Sequence, residues 1–175
     1  WTWINGSDLK DIAAVYGTKG TAASTNTPGK REDALLWSNG NNLWLFGGKY
    51  EDSGTDYYLS DLWKWDGSNW TWISGSSSTN ASGVYTGTSM PGARTGSSKW
   101  IDSSGNLWLY GGRGYDKNGD LGRLSDLWKF DGTNWTFVKG NDLKSGACIY
   151  GTKGIAASTN KPGSRSGANF WKDAN

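Results

Sequence analysis

Apolar residues in this chain alternate with polar ones over short segments, which is the pattern of β-strands. Both tryptophans of Leu62-Trp63-Lys64-Trp65 fall on one strand face, and those of Trp70-Thr71-Trp72 do the same. Leu43-Trp44-Leu45-Phe46 is apolar on both faces, which indicates a strand covered on both sides. Since no helical spacing accompanies these segments, the sequence predicts an all-β fold.

A long block of this pattern occurs twice. Residues 42–72 return as residues 106–137, with Trp63 and Trp128 65 residues apart. Each copy holds an Asp-Gly turn (Asp66-Gly67 and Asp131-Gly132), which predicts a hairpin. Repetition at a fixed period indicates a repeat architecture. We therefore look for function in the loops that differ between the copies.

A further strand precedes each double glycine, so the predicted unit has four antiparallel strands, a to d. Strand a lies at residues 34–37, 96–100 and 167–171, each time after Pro-Gly-x-Arg. Repeated four-stranded units with glycine and aromatic signatures are typical of β-propeller blades.

The order Arg, Gly-Gly, Asp-Leu-Trp and Trp in both copies resembles the kelch repeat of the galactose oxidase and kelch-like superfamily. The repeats look most similar to the long kelch repeats of secreted bacterial proteins. The resemblance implies a propeller whose strands run from a at the axis to d at the rim, and an extracellular or cell-surface location.

The predicted blades do not begin and end where the chain does. We expect strand d of a preceding blade at residues 1–4, blades at 17–73 and 87–138, and the start of another at 151–175. Because a propeller closes with roughly four to eight blades, the sequence predicts an incomplete part of a larger propeller.

The composition limits which partners, cofactors and catalytic groups are expected. The net charge is +2, from 18 basic and 16 acidic residues, so no nucleic-acid partner is expected. Apolar runs are too short for membrane insertion. The chain has no histidine, hence neither the usual general base nor the commonest metal ligand. It cannot supply the copper site of galactose-oxidase-like propellers, and we expect no cofactor and no catalysis.

The candidate binding surface lies where the longest loops gather. In an up-and-down blade the b–c and d–a loops share one face, and the b–c loops here are residues 49–59 and 113–124. Aromatic rings beside polar groups suit carbohydrate recognition, although the same side chains could pack the loops together. The candidate ligand-binding residues are Tyr50, Tyr57, Tyr58, Arg113, Tyr115 and Arg123.

Three further sets of residues are weaker candidates. Arg31, Arg94 and Arg165 open successive strands a, where they either bind anions or sugars at the channel mouth or tie backbone carbonyls together. Asp116, Asn118 and Asp120 begin like a calcium loop, but the later positions do not match. Sequons that could be glycosylated occur at Asn5, Asn69, Asn80 and Asn134.

The sequence leaves three functions open. One is an extracellular binding or adhesion module for a glycan or a protein. Another is a structural repeat protein that assembles with copies of itself into a surface layer, sheath or fibre. The last is the non-catalytic part of a larger carbohydrate-active or oxidase-like enzyme.

Overall fold

The computed structural model describes residues 1–40 and 42–170, and their regular structure is entirely β. The strands are β1 (Leu35–Asn39), β2 (Asn42–Phe46), β3 (Lys49–Asp52), β4 (Thr55–Tyr58), β5 (Leu62–Trp65), β6 (Trp70–Ser74), β7 (Arg94–Thr95), β8 (Ser98–Ile101), β9 (Leu107–Tyr115), β10 (Leu121–Phe130) and β11 (Trp135–Lys139). No helix occurs within these ranges, and so none is long and apolar enough to cross a membrane.

The first copy of the repeat forms a four-stranded antiparallel sheet, called here the first blade. Its strand order is β1-β2-β5-β6. Trp44 pairs with Trp37 on one side and Lys64 on the other, and Trp63 pairs with Trp72. The predicted strands a to d are these four strands in chain order.

The second copy forms the second blade, in the order β11-β10-β9-β7, with β8 also paired to β9. The strand-a position is divided here between β7 and β8, because both pair with the long strand β9. The predicted all-β fold of antiparallel sheets is confirmed, with four strands in the first sheet and five in the second. Membership of the kelch family stays a prediction.

Large side chains of the two blades meet in one core. Phe46 of the first blade packs against Trp135 of the second, with ring centroids 5.3 Å apart. Trp44 packs against Phe130 at 5.6 Å. Nε1 of Trp37 donates to the backbone oxygen of Trp100, 3.1 Å away. The repeated tryptophans and their neighbours therefore hold the blades together, as inter-blade packing requires.

The predicted long b–c loops are largely strand, which is a correction. Residues 49–58 form the β3–β4 hairpin, and residues 113–123 extend β9 and β10 beyond the blade. Only the turns at their ends are loop. Alternating side chains on a paired strand point to fixed faces, so these segments present defined surfaces.

The two ends of the chain differ from the prediction. Residues 1–4 form no strand, and Trp1, Trp3 and Ile4 are exposed. A strand needs a hydrogen-bonded neighbour, and the described residues place none beside this segment. Residues 167–170 form no strand either, and Trp171, the end of that predicted strand, lies outside the described residues.

Residues 151–170 nevertheless repeat the contacts of a blade start. The amide of Gly112 donates to the carbonyl of Arg165 at 2.8 Å, as the amide of Gly48 does to Arg94 at 2.9 Å. Phe170 stacks on Trp100, with centroids 5.0 Å apart. This segment thus occupies the position that strand a of a third blade would take.

Candidate functional site

A buried ion pair organises the interior of each blade. Arg94 and Asp126 are both fully buried, and the two terminal nitrogens of the guanidinium group each donate to one carboxylate oxygen at 2.7 Å. Arg94 also donates to the carbonyls of Gly92 and Gly111. In the first blade Arg31 makes the same bidentate contact with Asp61, at 2.7 and 2.8 Å.

An aromatic pair completes each cluster. The hydroxyl of Tyr85 and Nε1 of Trp128 both donate to Asp126, each at 2.7 Å. Tyr16 and Trp63 donate to Asp61 in the same way, at 2.9 and 2.7 Å. The carboxylate of each blade therefore binds an arginine, a tyrosine and a tryptophan.

The charges within the second-blade cluster stabilise each other. Burial alone would raise the pKa of Asp126, but the adjacent Arg94 charge and the hydrogen bonds from Arg94, Trp128 and Tyr85 hold it below its ordinary value. Burial, followed by the nearby carboxylate, raises the pKa of Tyr85 far above its usual range. The cluster thus keeps a charged arginine, a charged aspartate and a neutral tyrosine.

The guanidinium groups of Arg31 and Arg94 are buried against carboxylates rather than open at a channel mouth. Their hydrogen bonds favour the alternative interpretation, in which each guanidinium ties backbone carbonyls together, since Arg31 donates to the carbonyl of Gly47 at 3.0 Å as Arg94 does to that of Gly111. Sequence reasoning missed Asp61 and Asp126, although their recurrence 65 residues apart in Ser-Asp-Leu-Trp was visible. Arg165 is exposed, and it donates to the carbonyl of Gly163 at 3.0 Å.

The first hairpin presents an aromatic surface. Tyr50 and Tyr57 lie directly opposite each other in β3 and β4. Their rings stack with centroids 5.2 Å apart and planes 20° apart, and both are half-buried. The ammonium group of Lys30 lies 5.1 Å from the Tyr50 ring. A cavity of about 210 Å³ adjoins Tyr50, and Lys30, Ser77 and Thr79 are also in its lining.

Tyr58 and Tyr115 belong to the packing between the hairpins. Tyr58 is buried, and its ring meets the edge of Tyr115 with centroids 5.9 Å apart. Tyr58 as a ligand-binding residue is therefore wrong. Tyr115 is also not the equivalent of Tyr50, because counting from the double glycines places Gly114 at that position.

The second hairpin presents positive charge instead. Arg113 and Arg123 lie directly opposite each other in β9 and β10, and both are exposed. A cavity of about 520 Å³ adjoins them, with Ser145 and Ser164 also in its lining. The six candidate ligand residues therefore separate into an aromatic pair, a cationic pair, and the packing pair of buried Tyr58 with half-buried Tyr115.

The hydrogen bonds of Asp116 argue against a calcium site in this loop. This carboxylate is buried, and its oxygens accept hydrogen bonds from the backbone amides of Asn118, Asp120 and Lys144, at 2.9–3.0 Å. Asp120 pairs with the Lys144 side chain at 3.5 Å. Asp116 thus holds the hairpin turn against the following loop. The described residues contain no group of three or more acidic, histidine or cysteine side chains that could hold a metal ion.

The sequons occupy different surroundings. Asn5 and Asn134 are exposed, and Asn69 is half-buried in the turn before β6. Asn80 has a positive φ of 59°, and its side-chain oxygen accepts the backbone N–H of Tyr58 at 2.9 Å. Asn80 therefore anchors the connection between the blades to the first hairpin.

Comparisons with known proteins do not assign this chain to a family. The chain matches no protein-family model and no curated protein. A solved structure described as YjhT is similar over 67% of this chain and 40% of its own length, with 18% identity and a TM-score of 0.47. This chain therefore spans less than half of that structure.

Proposed function

We propose that this chain is part of a kelch-like propeller and serves as a non-catalytic recognition module that binds glycans outside the cell. The binding surface is the face that carries the β3–β4 hairpin and the extended end of β9 and β10. The single observation that carries the proposal is the stacked, half-buried pair Tyr50–Tyr57 beside a cavity.

The chemistry of this pair suits sugars. Flat aromatic surface accepts the C–H face of a sugar ring, and the lining hydroxyls and ammonium group can orient its hydroxyls. Few precisely placed polar groups in an otherwise apolar recess are typical of small-molecule sites. Because two hairpins lie on one face, weak contacts at each would add through multivalency.

The position of the pair on a fixed element supports the proposal. The hairpin is joined to the blade by hydrogen bonds from Leu59 to Gly48 and between Glu32 and Lys49. Lys49 also pairs with Asp56 at 2.8 Å and Glu32 at 3.2 Å. A rigidly held aromatic surface loses little conformational entropy when a ligand binds.

The test is a binding screen of the full chain against neutral and acidic glycans. Tyr50→Ala and Tyr57→Ala remove the stacked surface. We expect them to weaken binding about tenfold, by analogy with nucleobases, whose stacking on one aromatic ring contributes roughly 1–3 kcal/mol. Trp65→Ala is the matched control, because Trp65 forms a similar aromatic pair with Trp70 beside the β5–β6 turn. Tyrosine variants that lose stability but keep every interaction would show that the tyrosines only pack.

Self-assembly is the second candidate, and a different observation favours it. Tyr150 and Arg165 repeat the positions of Tyr85 and Arg94, but Tyr150 is 77% exposed, and no aspartate meets either residue among those described. A Ser-Asp-Leu-Trp strand from another copy of this chain would complete the cluster, because Asp61 and Asp126 are already paired with Arg31 and Arg94.

A further inference from the structure

The arginine pair of the second hairpin has an energetic cost. Arg113 and Arg123 are directly opposite in register, so their side chains leave the same face of the ribbon. Like charges at opposed positions of an antiparallel pair are destabilising. An anion bound between the two guanidinium groups would remove that repulsion.

The first hairpin shows how this chain neutralises a cation at the same place. Counting from the double glycines, Lys49 corresponds to Arg113. Lys49 is held by Asp56 at 2.8 Å and Glu32 at 3.2 Å. Backbone pairing places Leu121 and Thr95 of the second blade where these two carboxylates stand in the first. The second hairpin thus has more positive charge and lacks both acidic partners.

The other acidic residues nearby already have partners. Asp116 accepts three backbone amides, Asp120 pairs with Lys144, and Asp142 pairs with Lys117. Within residues 1–40 and 42–170, no ion pair and no side-chain hydrogen bond involves Arg113 or Arg123. Both guanidinium groups therefore keep their donors free.

The cavity beside the arginines has a hydroxyl group where the first blade has a methyl group. Backbone hydrogen bonds place Ser145 at the position of Asn80, and Ser164 at that of Ala93. Ala93 is fully buried, whereas the hydroxyl oxygen of Ser164 is buried without a hydrogen-bond partner. The volume of about 520 Å³ lies within the range of small-molecule sites.

The geometry points to an anion subsite in this cavity, in which Arg113 and Arg123 bind the carboxylate or sulfate group of an acidic polysaccharide. The inference rests on the proposed function, since it assigns a charged residue of the same glycan to the second hairpin. Guanidinium groups suit planar carboxylates and sulfate oxygens because their N–H donors form a fixed fork. A polysaccharide is favoured over an acidic peptide because the aromatic pair on the neighbouring hairpin suits sugar rings.

The experiment measures binding of the full chain by titration calorimetry to four polymers: polygalacturonate, dextran sulfate, neutral dextran and polyglutamate. The variants are Arg113→Gln, Arg123→Gln and Leu121→Asp. The last keeps both arginines but restores the carboxylate that Asp56 supplies in the first hairpin. Lys129→Gln is the control, since it removes one positive charge from β10 outside the cavity.

We expect the wild type to bind polygalacturonate, dextran sulfate or both, and each of the three test variants to lose about tenfold or more in affinity, as the loss of a charge-assisted hydrogen bond predicts. Lys129→Gln should bind like the wild type. The arm that binds tells carboxylate from sulfate recognition. Thermal unfolding checks the fold, and the glutamine variants should be as stable as the wild type or more so, because the repulsion is gone.

Several results would overturn the subsite. Equal affinity in wild type and arginine variants would show that the pair does not bind the anion, and equal losses in Lys129→Gln would show diffuse attraction. Binding to polyglutamate alone would identify an acidic peptide instead. If neutral glycans bind through Tyr50 while the arginine variants change nothing, the subsite fails and the proposed function stands. If the arginine variants weaken acidic-glycan binding but Tyr50→Ala does not, the subsite stands without the tyrosine surface.

Discussion

At the scale of single residues, the buried clusters decide the stability of each blade. Arg94 and Asp126 are fully buried and bind each other through two hydrogen bonds. Removing one partner of such a pair leaves an uncompensated buried charge, which typically costs about 3–5 kcal/mol. The second-blade cluster also joins β7, β9 and β10 to the connecting loop that carries Tyr85, so its loss affects the whole blade.

We therefore expect Asp126→Asn to lower the free energy of unfolding by about 3–5 kcal/mol, measured by urea denaturation at pH 7. Lys129→Gln on the same strand should change it by less than about 0.5 kcal/mol, as surface substitutions do. An unchanged urea midpoint for Asp126→Asn would contradict the role of the cluster.

The pH dependence follows from the lowered pKa of Asp126. The unfolded carboxyl titrates at about 3.9, above its folded value, so unfolding takes up a proton. This contribution to stability is complete above about pH 4 and is lost as the pH falls through the folded pKa. When the pH is lowered below about 4, the urea concentration at the unfolding midpoint should therefore decrease for the wild type, and it should decrease less for Asp126→Asn. Parallel curves for the two proteins would exclude this contribution.

What the sequence reveals at this scale depends on repetition. Arg31 and Arg94 were singled out because Pro-Gly-x-Arg recurs before each strand a, and the tie to backbone carbonyls was one of two interpretations. Their partners Asp61 and Asp126 lie about thirty residues away in the chain. Contacts of that range depend on tertiary structure, and a single sequence does not report them.

At the scale of elements, the double glycines fix how successive blades approach. Gly47 has a φ of 64°, and a Cβ there would lie 2.7 Å from the carbonyl oxygen of Arg94 in the second blade. Gly111 repeats this approach toward the carbonyl of Arg165, at 2.8 Å. Any larger residue would push the blades apart, because the obstacle is backbone.

A matched pair of substitutions separates the two reasons for glycine. Gly87 has a φ of 67°, but a Cβ added there would meet no atom within 4 Å, so Gly87→Ala adds only the strain of the left-handed backbone, about 1–2 kcal/mol. Gly47→Ala adds overpacking, typically about 1–3 kcal/mol more. Urea denaturation should rank the variants in that order, and equal losses would mean that the blades can shift without cost.

The hairpins show where sequence patterns stop being informative. The apolar segments predicted as strands b, c and d correspond to β2, β5 and β6 and to the blade parts of β9, β10 and β11, because these strands bury large side chains. In β3 and β4 most residues are polar and both strand faces are partly exposed to water. The sequence of these strands therefore shows little alternation of apolar and polar residues. The structure shows that residues 49–58 and 113–123 are ribbons, and this fixes which side chains stand opposite each other.

At the scale of the whole molecule, the two blades share a scaffold but differ on the hairpin face. Tyr50–Tyr57 in the first hairpin is replaced by Gly114–Gly122 in the second, and the paired cation Lys49 by the free Arg113–Arg123 pair. A Cβ on Gly114 would lie 2.2 Å from the carbonyl of Ala93. One hairpin thus presents aromatic rings and the other presents positive charge. An acidic glycan has sugar rings and anionic groups that match these two surfaces.

Apolar side chains exposed at both ends of the chain predict self-association. They include Trp1, Trp3, Ile4, Tyr150, Ile155 and Phe170. Contiguous apolar surface is rarely left in water and commonly marks an interaction site.

Sedimentation velocity over a range of concentrations should show assembly beyond the monomer. Ile155→Ser with Phe170→Ser should weaken this assembly about tenfold or more, because burying two large side chains contributes about 1.5–3 kcal/mol each. Val84→Ser is the control, since Val84 is similarly exposed but lies in the connection between the blades. A monomer at every concentration would contradict the prediction, and equal weakening by Val84→Ser would show that the ends are not the contact.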